Sequence, residues 1–214
     1  QDDNVPLVVP EINAEDCKWH KGILANPNCT TAITLMALYP LHQAFSVKRI
    51  FASSYQAVSG TGAKAIEELE RQVGQVVNKQ PVTKEVYPHQ IAFNVLPHVD
   101  SFLPSGYTKE EMKMENEGRK IMHHPTFRAS VTCVRVPVSN CHSESILVET
   151  ERKITAAEAR ELFAATPGII VVEMPAFGST GPMSHATAIG PSMEMAAGMA
   201  GLTVGAMLAR AGRR

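Results

Sequence analysis

Residues 47–62 read VKRIFASSYQAVSGTG, a run of β-forming residues that ends at a turn-forming glycine motif. Val, Ile, Phe and Tyr are frequent over residues 47–58, which predicts a strand there. After the turn, apolar residues recur at the spacing of an amphipathic helix, namely Ile66, Leu69, Val73 and Val76. We predict that this unit of strand, turn and helix is the centre of the domain.

The segment before this unit predicts a long buried helix. Residues 29–45, CTTAITLMALYPLHQAF, are apolar nearly all round, and Pro40 is expected to kink or end the helix. Cys29 is then its first residue. Two shorter apolar runs, residues 5–10 and 22–28, predict buried strands or strand ends.

A second, charged helix is predicted over residues 107–122. Thr108 is suited to cap its N-terminus, and Glu111 stands at the position that completes a capping box. Glu110 and Lys113 lie three residues apart, on one face. The charge of this segment indicates a helix on the surface.

The remaining elements decide the fold class. Residues 128–138 and 144–151 predict two strands that form an antiparallel pair. A helix is predicted over residues 155–166 and a buried strand over residues 168–174. The order of elements predicts an α+β fold, with a mixed, largely antiparallel sheet and helices packed on it.

Composition limits the classes of partner. Of 214 residues, 44% are hydrophobic and 19% are charged, enough apolar residue to form a core. Lys and Arg total 20 and Asp and Glu total 21, so no basic field favours nucleic acid or an anionic membrane. No apolar run reaches the length of about 20 residues that a membrane span needs. Small molecules and other subunits are the expected partners.

The four cysteines, at positions 17, 29, 133 and 141, are too sparse for a disulfide scaffold, and a reducing compartment fits them best. The cysteines and histidines over residues 123–142 have no spacing typical of a metal site, so no metal is predicted. Cys29 differs from the other cysteines because it begins a predicted helix. The positive end of a helix dipole favours the thiolate, although most cysteines in such positions pack as small apolar residues.

Several motifs resemble one enzyme family. The run ILANPNCTT (residues 23–31) is similar to the active-site segment of aspartate-semialdehyde dehydrogenases, and SSYQAVSGTG (53–62) is similar to the family's second signature. The similarity continues through residues 91–97, 106–114 and 132–145, and covers residues 5–173. It implies the catalytic and dimerisation half of such an enzyme, with a fold like the C-terminal domain of glyceraldehyde-phosphate-dehydrogenase-like enzymes.

The resemblance implies four catalytic positions. Cys29 matches the nucleophile that forms an acyl-enzyme thioester, and His142 matches the general acid–base. Asn28 matches a residue that helps to bind the developing oxyanion. Gln56 matches a residue that orients the substrate.

Five further positions match binding residues of the family. Arg135 matches the guanidinium that binds the α-carboxylate, Glu110 the contact to the α-amino group, and Lys113 the phosphate contact. Ser59 and Gly60 match a turn near the nicotinamide of NADP(H). Taken without the resemblance, the same residues are typical of surface ion pairs, a loop histidine and an ordinary turn.

The resemblance implies an activity: NADPH-dependent reductive dephosphorylation of L-4-aspartyl phosphate to L-aspartate 4-semialdehyde and phosphate, in the biosynthesis of lysine, threonine, methionine and isoleucine. Two alternatives are an N-acetyl-glutamyl-phosphate reductase-like enzyme and a non-catalytic oligomerisation module. Glyceraldehyde-phosphate dehydrogenase ranks third, because its sequence downstream of the cysteine differs. A homodimer or homotetramer in the cytoplasm or the plastid stroma is expected.

The family's N-terminal NADP-binding domain, with its glycine-rich loop, has no counterpart in the sequence. We therefore interpret residues 1–28 as a remnant of that domain and its crossover, and residues 29–173 as the catalytic and dimerisation domain. Residues 174–214 form an atypical Gly-, Ala- and Met-rich tail, from a shifted reading frame or disordered. The 214 residues alone are expected to be soluble but inactive, since NADP(H) would be bound mainly by the missing domain.

Overall fold

The computed structural model describes residues 2–167 and 169 of the chain. Its helices are α1 (Pro10–Asn13), α2 (Cys29–Phe45), α3 (Ala63–Val77), α4 (Lys109–Ile121) and α5 (Ala156–Ala165). Its strands are β1 (Val47–Gln56), β2 (Arg128–Arg135) and β3 (Ser143–Thr150), and two 3₁₀ turns span Ala14–Trp19 and Val58–Thr61. The strand predicted over 168–174 and the tail over 174–214 lie outside the described residues. No described helix is both long enough and apolar enough to cross a membrane.

The chain forms two compact units. Residues 2–39 and 47–151 belong to the first, which contains the three described strands. Of the described residues, 40–46, 152–167 and 169 belong to the second. The boundaries predicted after residues 28 and 173 stay predictions.

The described part of the second unit contains α5, as predicted. Its N-terminus is closed by a capping box, in which the Thr155 hydroxyl accepts from the Glu158 N–H (3.3 Å) and the Glu158 carboxylate accepts from the Thr155 N–H (2.7 Å). Arg152 lies over the Phe45 ring, 5.0 Å from its centroid. Phe163 is buried on α5.

The sheet has the order β2-β1-β3. β1 pairs with β2 in parallel, with Gln56 opposite Arg135, and with β3 in antiparallel orientation, with Tyr55 opposite Ser143. The α+β class and the mixed sheet are confirmed, but the predicted antiparallel pair of β2 with β3 is wrong. Both strands instead flank β1. A sequence pattern indicates where strands lie but not which strands pair, so the pairing could not be predicted. One edge of the sheet therefore carries the ends of β1 and β2 and the start of β3.

Helix α4 is more buried than its charge predicts. The capping box of Thr108 and Glu111 is confirmed, but Glu110, Glu117 and Ile121 are buried instead of facing solvent. The helix packs on β2. The charged residues predicted an exposed helix. The prediction fails because carboxylates of α4 have hydrogen-bond partners inside the domain.

Two other carboxylates of α4, those of Glu111 and Glu115, accept hydrogen bonds from the outer edge of β2. Glu111 Oε1 accepts from the Cys133 N–H (3.0 Å), and Glu115 Oε2 accepts from the Ala129 N–H (2.9 Å). Leu96 and Arg135 exchange backbone hydrogen bonds of 2.9 and 2.8 Å at the end of the strand. Satisfied edge groups cannot template another chain, so these contacts protect the outer edge of β2 from pairing with another strand.

The buried face of α3 also differs from the prediction. Leu69 is buried, but its buried neighbours include Glu68 and Gln72, while Val73 is 37% exposed. The Glu68 carboxylate accepts from three consecutive backbone N–H groups, those of residues 85–87, at 2.6–3.2 Å. Gln72 Oε1 accepts from the N–H groups of residues 91 and 92. These polar side chains satisfy the buried backbone of the irregular segment that follows α3.

The two apolar runs predicted as strands near the N-terminus meet in a single parallel bridge between Leu7 and Ala25. Buried Asn13 braces this region, since its Oδ1 accepts from the Val9 N–H (2.8 Å) and its Nδ2 donates to the Leu7 carbonyl (2.9 Å). These contacts hold the chain that leads to α2.

Candidate active site

The predicted site residues meet at one edge of the sheet. Gln56 is the last residue of β1, Arg135 is the last residue of β2, and His142 directly precedes β3. Parallel strands end at the same edge, and an antiparallel neighbour begins there. The pairing of the strands thus brings together three side chains that are far apart in sequence.

Asn28 caps α2, so that Cys29 is the first residue of the helix, as predicted. Asn28 Oδ1 accepts from the N–H groups of Thr30 (3.0 Å) and Thr31 (3.3 Å), and its carbonyl accepts from the Ala32 N–H (2.9 Å). An Asn at this position satisfies N–H groups that have no partner within the helix.

Two carboxylates of α4 hold the same Asn28. Its side-chain Nδ2 donates to Glu110 Oε1 (2.8 Å), and its backbone N–H donates to Glu117 Oε2 (2.9 Å). The amide assigned to an oxyanion from the sequence therefore already has a carboxylate partner. Asn28 is attached at its side-chain oxygen, its side-chain nitrogen and its backbone.

Glu110 is the centre of the polar cluster. Besides Asn28, it accepts from Gln56 Nε2 (3.4 Å) and from Lys113 Nζ (3.0 Å). Lys113 also lies 3.6 Å from a carboxylate oxygen of Asp100. The structure thus brings together Asn28, Gln56, Glu110 and Lys113, all of which the sequence singled out.

Arg135 and His142 are organised around the backbone of Ala57. Arg135 Nη1 donates to the Ala57 carbonyl (2.8 Å), and the Ala57 N–H donates to His142 Nδ1 (3.1 Å). A Cβ atom on Gly60 would lie 3.1 Å from both Arg135 Nη1 and His142 Nε2, closer than such contacts normally come. Ser59 belongs to the same turn, which its N–H ties to the Ser139 carbonyl (3.1 Å).

The contact with Ala57 decides the tautomer of His142. An N–H donor at Nδ1 requires a lone pair there, so the neutral ring carries its proton on Nε2. Burial lowers the pKa of His142, and the nearby Arg135 guanidinium lowers it further. The imidazole is therefore neutral over a wider pH range than a free histidine.

The environment of Cys29 differs from the prediction. The N–H groups of Thr30 and of Cys29 itself do lower its pKa, as does Arg135. Although Cys29 reaches the surface, desolvation of the thiol by its surroundings and the Glu110 carboxylate outweigh them, so the pKa of Cys29 is raised. A helix N-terminus alone does not activate this thiol.

Two buried carboxylates escaped the sequence analysis. Glu117 follows Glu110 by seven residues, a spacing that places both on one face of α4. Glu144 lies opposite Ser54 on β3, between the exposed Ser143 and Ser145, and accepts from the Thr34 hydroxyl. The seven-residue spacing along α4 could have revealed Glu117. The alternation of residues along β3 could have revealed Glu144.

Glu144 makes the stability of the chain depend on pH. Burial raises the pKa of its carboxyl from 4.5 to about 7, and its Oε1 has no hydrogen-bond partner among the described residues. The folded protein keeps this proton after the unfolded chain has lost it, so the free energy of unfolding falls as pH rises from about 4.5 to about 7. Glu144→Gln should remove up to about 3 kcal/mol of that fall, measured by urea unfolding at several pH values.

A matched control is Glu149→Gln on the same strand, which changes a carboxylate that is 42% exposed and pairs with Arg49. This variant should retain the wild-type slope between pH 5 and pH 8. An unchanged slope in Glu144→Gln would contradict the assignment of the raised pKa to Glu144.

Comparison with known proteins shows the family that the chain resembles. Residues 38–199 match the family described as "Semialdehyde dehydrogenase, dimerisation domain". The aspartate-semialdehyde dehydrogenase of Aquifex aeolicus is 52% identical over 177 residues, which are 81% of this chain and 52% of the relative. The crystal structure of aspartate semialdehyde dehydrogenase II from Vibrio cholerae, complexed with ASA, is 42% identical, with a TM-score of 0.77 over 78% of this chain and 50% of that one.

A more distant structure, aspartate semialdehyde dehydrogenase with NADP from Candida albicans, shares the fold at 20% identity and a TM-score of 0.54, over 78% of this chain and 46% of that one. The chain spans about half the length of these relatives.

Proposed function

Because the chain belongs to the family of semialdehyde dehydrogenase dimerisation domains, we propose that it is the catalytic and dimerisation part of an aspartate-semialdehyde dehydrogenase. The proposed reaction is the reductive dephosphorylation of L-4-aspartyl phosphate. The observation that carries the proposal is the meeting of a helix-terminal thiol, a buried carboxylate, a buried guanidinium and an imidazole at one sheet edge, in the residues Cys29, Glu110, Arg135 and His142.

The nucleophile in this proposal is Cys29. Its thiolate attacks the acyl carbon, the bond from that carbon to the phosphate oxygen breaks, and a thioester remains on the enzyme. Bound NADPH would supply the hydride that reduces this thioester. Cleavage of the carbon–sulfur bond then releases the aldehyde and returns the thiolate.

His142 is proposed to exchange protons with the reacting groups. The neutral ring offers its Nε2–H as a donor, which suits an oxygen that develops negative charge. To accept a proton at Nδ1, the ring must give up the Ala57 N–H. We propose that the ring, after such a movement, takes up the proton of the Cys29 thiol at Nδ1 and, as the imidazolium, returns a proton to the reacting oxygen or the departing phosphate.

Substrate binding is assigned to the charged residues around the thiol. Arg135 is 7% exposed and uses only one of its N–H groups on Ala57, so the rest of its planar fork can pair with a carboxylate. Glu110 would pair with the α-ammonium group, and Lys113 with phosphate. An ammonium group beside Glu110 would also offset the charge that raises the pKa of Cys29. Substrate binding would thus favour the thiolate.

The Ser59–Gly60 turn is proposed to hold the nicotinamide end of NADPH. The turn lies against Arg135 and His142, and a side chain at Gly60 would occupy that contact. NADPH binding elsewhere is assigned to residues beyond these 214, since the sequence contains no glycine-rich phosphate-binding turn of the dinucleotide type. The 214-residue chain alone should show no NADPH-dependent turnover.

A chimaera tests the proposal. The N-terminal half of the Aquifex aeolicus relative is joined to this chain, and NADPH oxidation is followed with L-4-aspartyl phosphate and with N-acetyl-glutamyl phosphate. Turnover of aspartyl phosphate supports the proposal. Turnover of N-acetyl-glutamyl phosphate alone would assign the protein to the related reductase, and a folded dimer active on neither substrate would favour the oligomerisation module.

A dimer is part of the proposal. The face of the sheet directed away from the helices exposes apolar side chains, with Phe51 46%, Tyr55 44% and Leu147 58% exposed. Serines and threonines of neighbouring strands surround them. An exposed apolar patch of this kind suits an interface between two copies of the chain. Light scattering on the isolated chain would show a monomer if this face has no partner.

Arg135→Lys should weaken substrate binding more than it slows the chemical step. An ammonium group keeps the positive charge but cannot make two parallel hydrogen bonds to a carboxylate. We expect the KM of the chimaera for aspartyl phosphate to rise by about 10-fold or more, as loss of one charged hydrogen bond implies, with a smaller change in kcat. A wild-type KM would remove Arg135 from the carboxylate site.

A further inference from the structure

We propose that Glu117 is a positioning residue for the nucleophile: it holds the backbone of Asn28 and thereby the first turn of α2, which carries Cys29. The inference rests on the proposed role of Cys29 as nucleophile. It assigns Glu117 no contact with the reacting atoms. Its effect would pass through the first turn of α2, by way of the Asn28 N–H and the Thr31 hydroxyl.

The contact between α4 and the start of α2 is buried and specific. Glu117 is 7% exposed, and its Oε2 lies 2.9 Å from the Asn28 nitrogen, although 89 residues separate the two. A hydrogen bond to a carboxylate is stronger than one between neutral groups. Burial raises the pKa of Glu117, and the Asn28 N–H opposes that rise. The bond therefore offsets part of the cost of burying the carboxyl group.

The bond to Glu117 differs in kind from the other attachments of Asn28. Its side-chain cap to the helix and its bond to Glu110 use torsions that can adjust if the backbone moves, and the bond of its carbonyl to Ala32 lies within α2 itself. Only Glu117 holds the N–H of this residue, one peptide unit before Cys29. The direction of the first turn of α2 therefore depends on Glu117.

This direction matters because the N–H groups of Cys29 and Thr30 stabilise the thiolate. A loosened first turn would aim these groups less well and raise the pKa of the thiol. Loss of a negative charge near Cys29 would do the opposite and lower it. The sign of the change thus separates positioning from a purely electrostatic effect.

The test is alkylation of Cys29 by iodoacetamide in the 214-residue chain, measured against pH and assigned by peptide mapping. Glu117→Leu and Glu117→Asp both remove the bond, the second because its side chain is shorter by one methylene, and Asp keeps the charge. We expect both to move the midpoint of alkylation upward by about one pH unit, which is about a tenfold slower reaction at neutral pH. Glu117→Gln keeps an acceptor oxygen but loses the charge, so it should show no upward shift of the midpoint.

The chain offers a matched control on the same helix. Glu115 also accepts one backbone N–H at 2.9 Å, that of Ala129 at the start of β2. Glu115→Leu should lower stability and leave the midpoint of Cys29 unchanged. Should Glu117→Leu fail to fold, as judged by circular dichroism, Glu117→Asp decides the question.

A wild-type midpoint in Glu117→Asp, or a downward shift in Glu117→Leu, would overturn the inference. In the chimaera, Glu117→Asp should lower kcat with little change in KM, because substrate contacts remain. A chimaera inactive on aspartyl phosphate would refute the proposed function. The alkylation result would still decide the role of Glu117.

Discussion

Cys29→Ala in the chimaera is expected to abolish aldehyde formation from aspartyl phosphate. The proposed mechanism passes through a thioester, and the structure places this thiol at the start of α2, within the electrostatic influence of Glu110 and Arg135. Cys133 is buried in β2, and burial raises its pKa to about 12, so it cannot substitute as a nucleophile near neutral pH. The loss should exceed 100-fold in kcat/KM.

Cys17→Ala is the control, since Cys17 lies on the first 3₁₀ turn and has no proposed role. It should keep wild-type kcat/KM. Retention of more than about one part in a hundred of kcat/KM by Cys29→Ala, a loss below about 2.7 kcal/mol, would show that the nucleophile lies elsewhere.

His142→Asn is expected to lower kcat by a factor of about 10²–10⁴, the usual contribution of a general acid–base. The amide can still accept from the Ala57 N–H, but it cannot exchange a proton. The pH dependence gives a second test. Because burial and Arg135 lower the pKa of His142, its neutral form persists below the usual pKa of about 6.5. The acidic fall of kcat/KM in the wild type should therefore lie below that value.

The exposed histidine His89 provides the matched control, and His89→Asn should leave both kcat and the pH profile unchanged. Full activity in His142→Asn would contradict the role of His142. An acidic fall above pH 6.5 would instead assign that titration to a different group.

The sequence by itself determined the local structure and the chemical types of the site residues. Cys29 could be placed at a helix start, and Thr108 with Glu111 in a capping box, because caps depend on residues only a few positions apart. The motifs around Cys29 and Gln56 pointed to the family to which the chain belongs. The amphipathic pattern after β1 predicted α3, although its buried face had to be corrected.

The tertiary structure alone decided what those residues do to one another. The order β2-β1-β3 places Arg135 and His142 around Ala57, and strand pairing over such distances leaves no local signal. Burial decided the rest: Glu117 holds Asn28, and Glu110 together with desolvation raises the pKa of Cys29 against the helix dipole. Electrostatic interactions depend on distance and on exclusion of water, and both are properties of the folded chain.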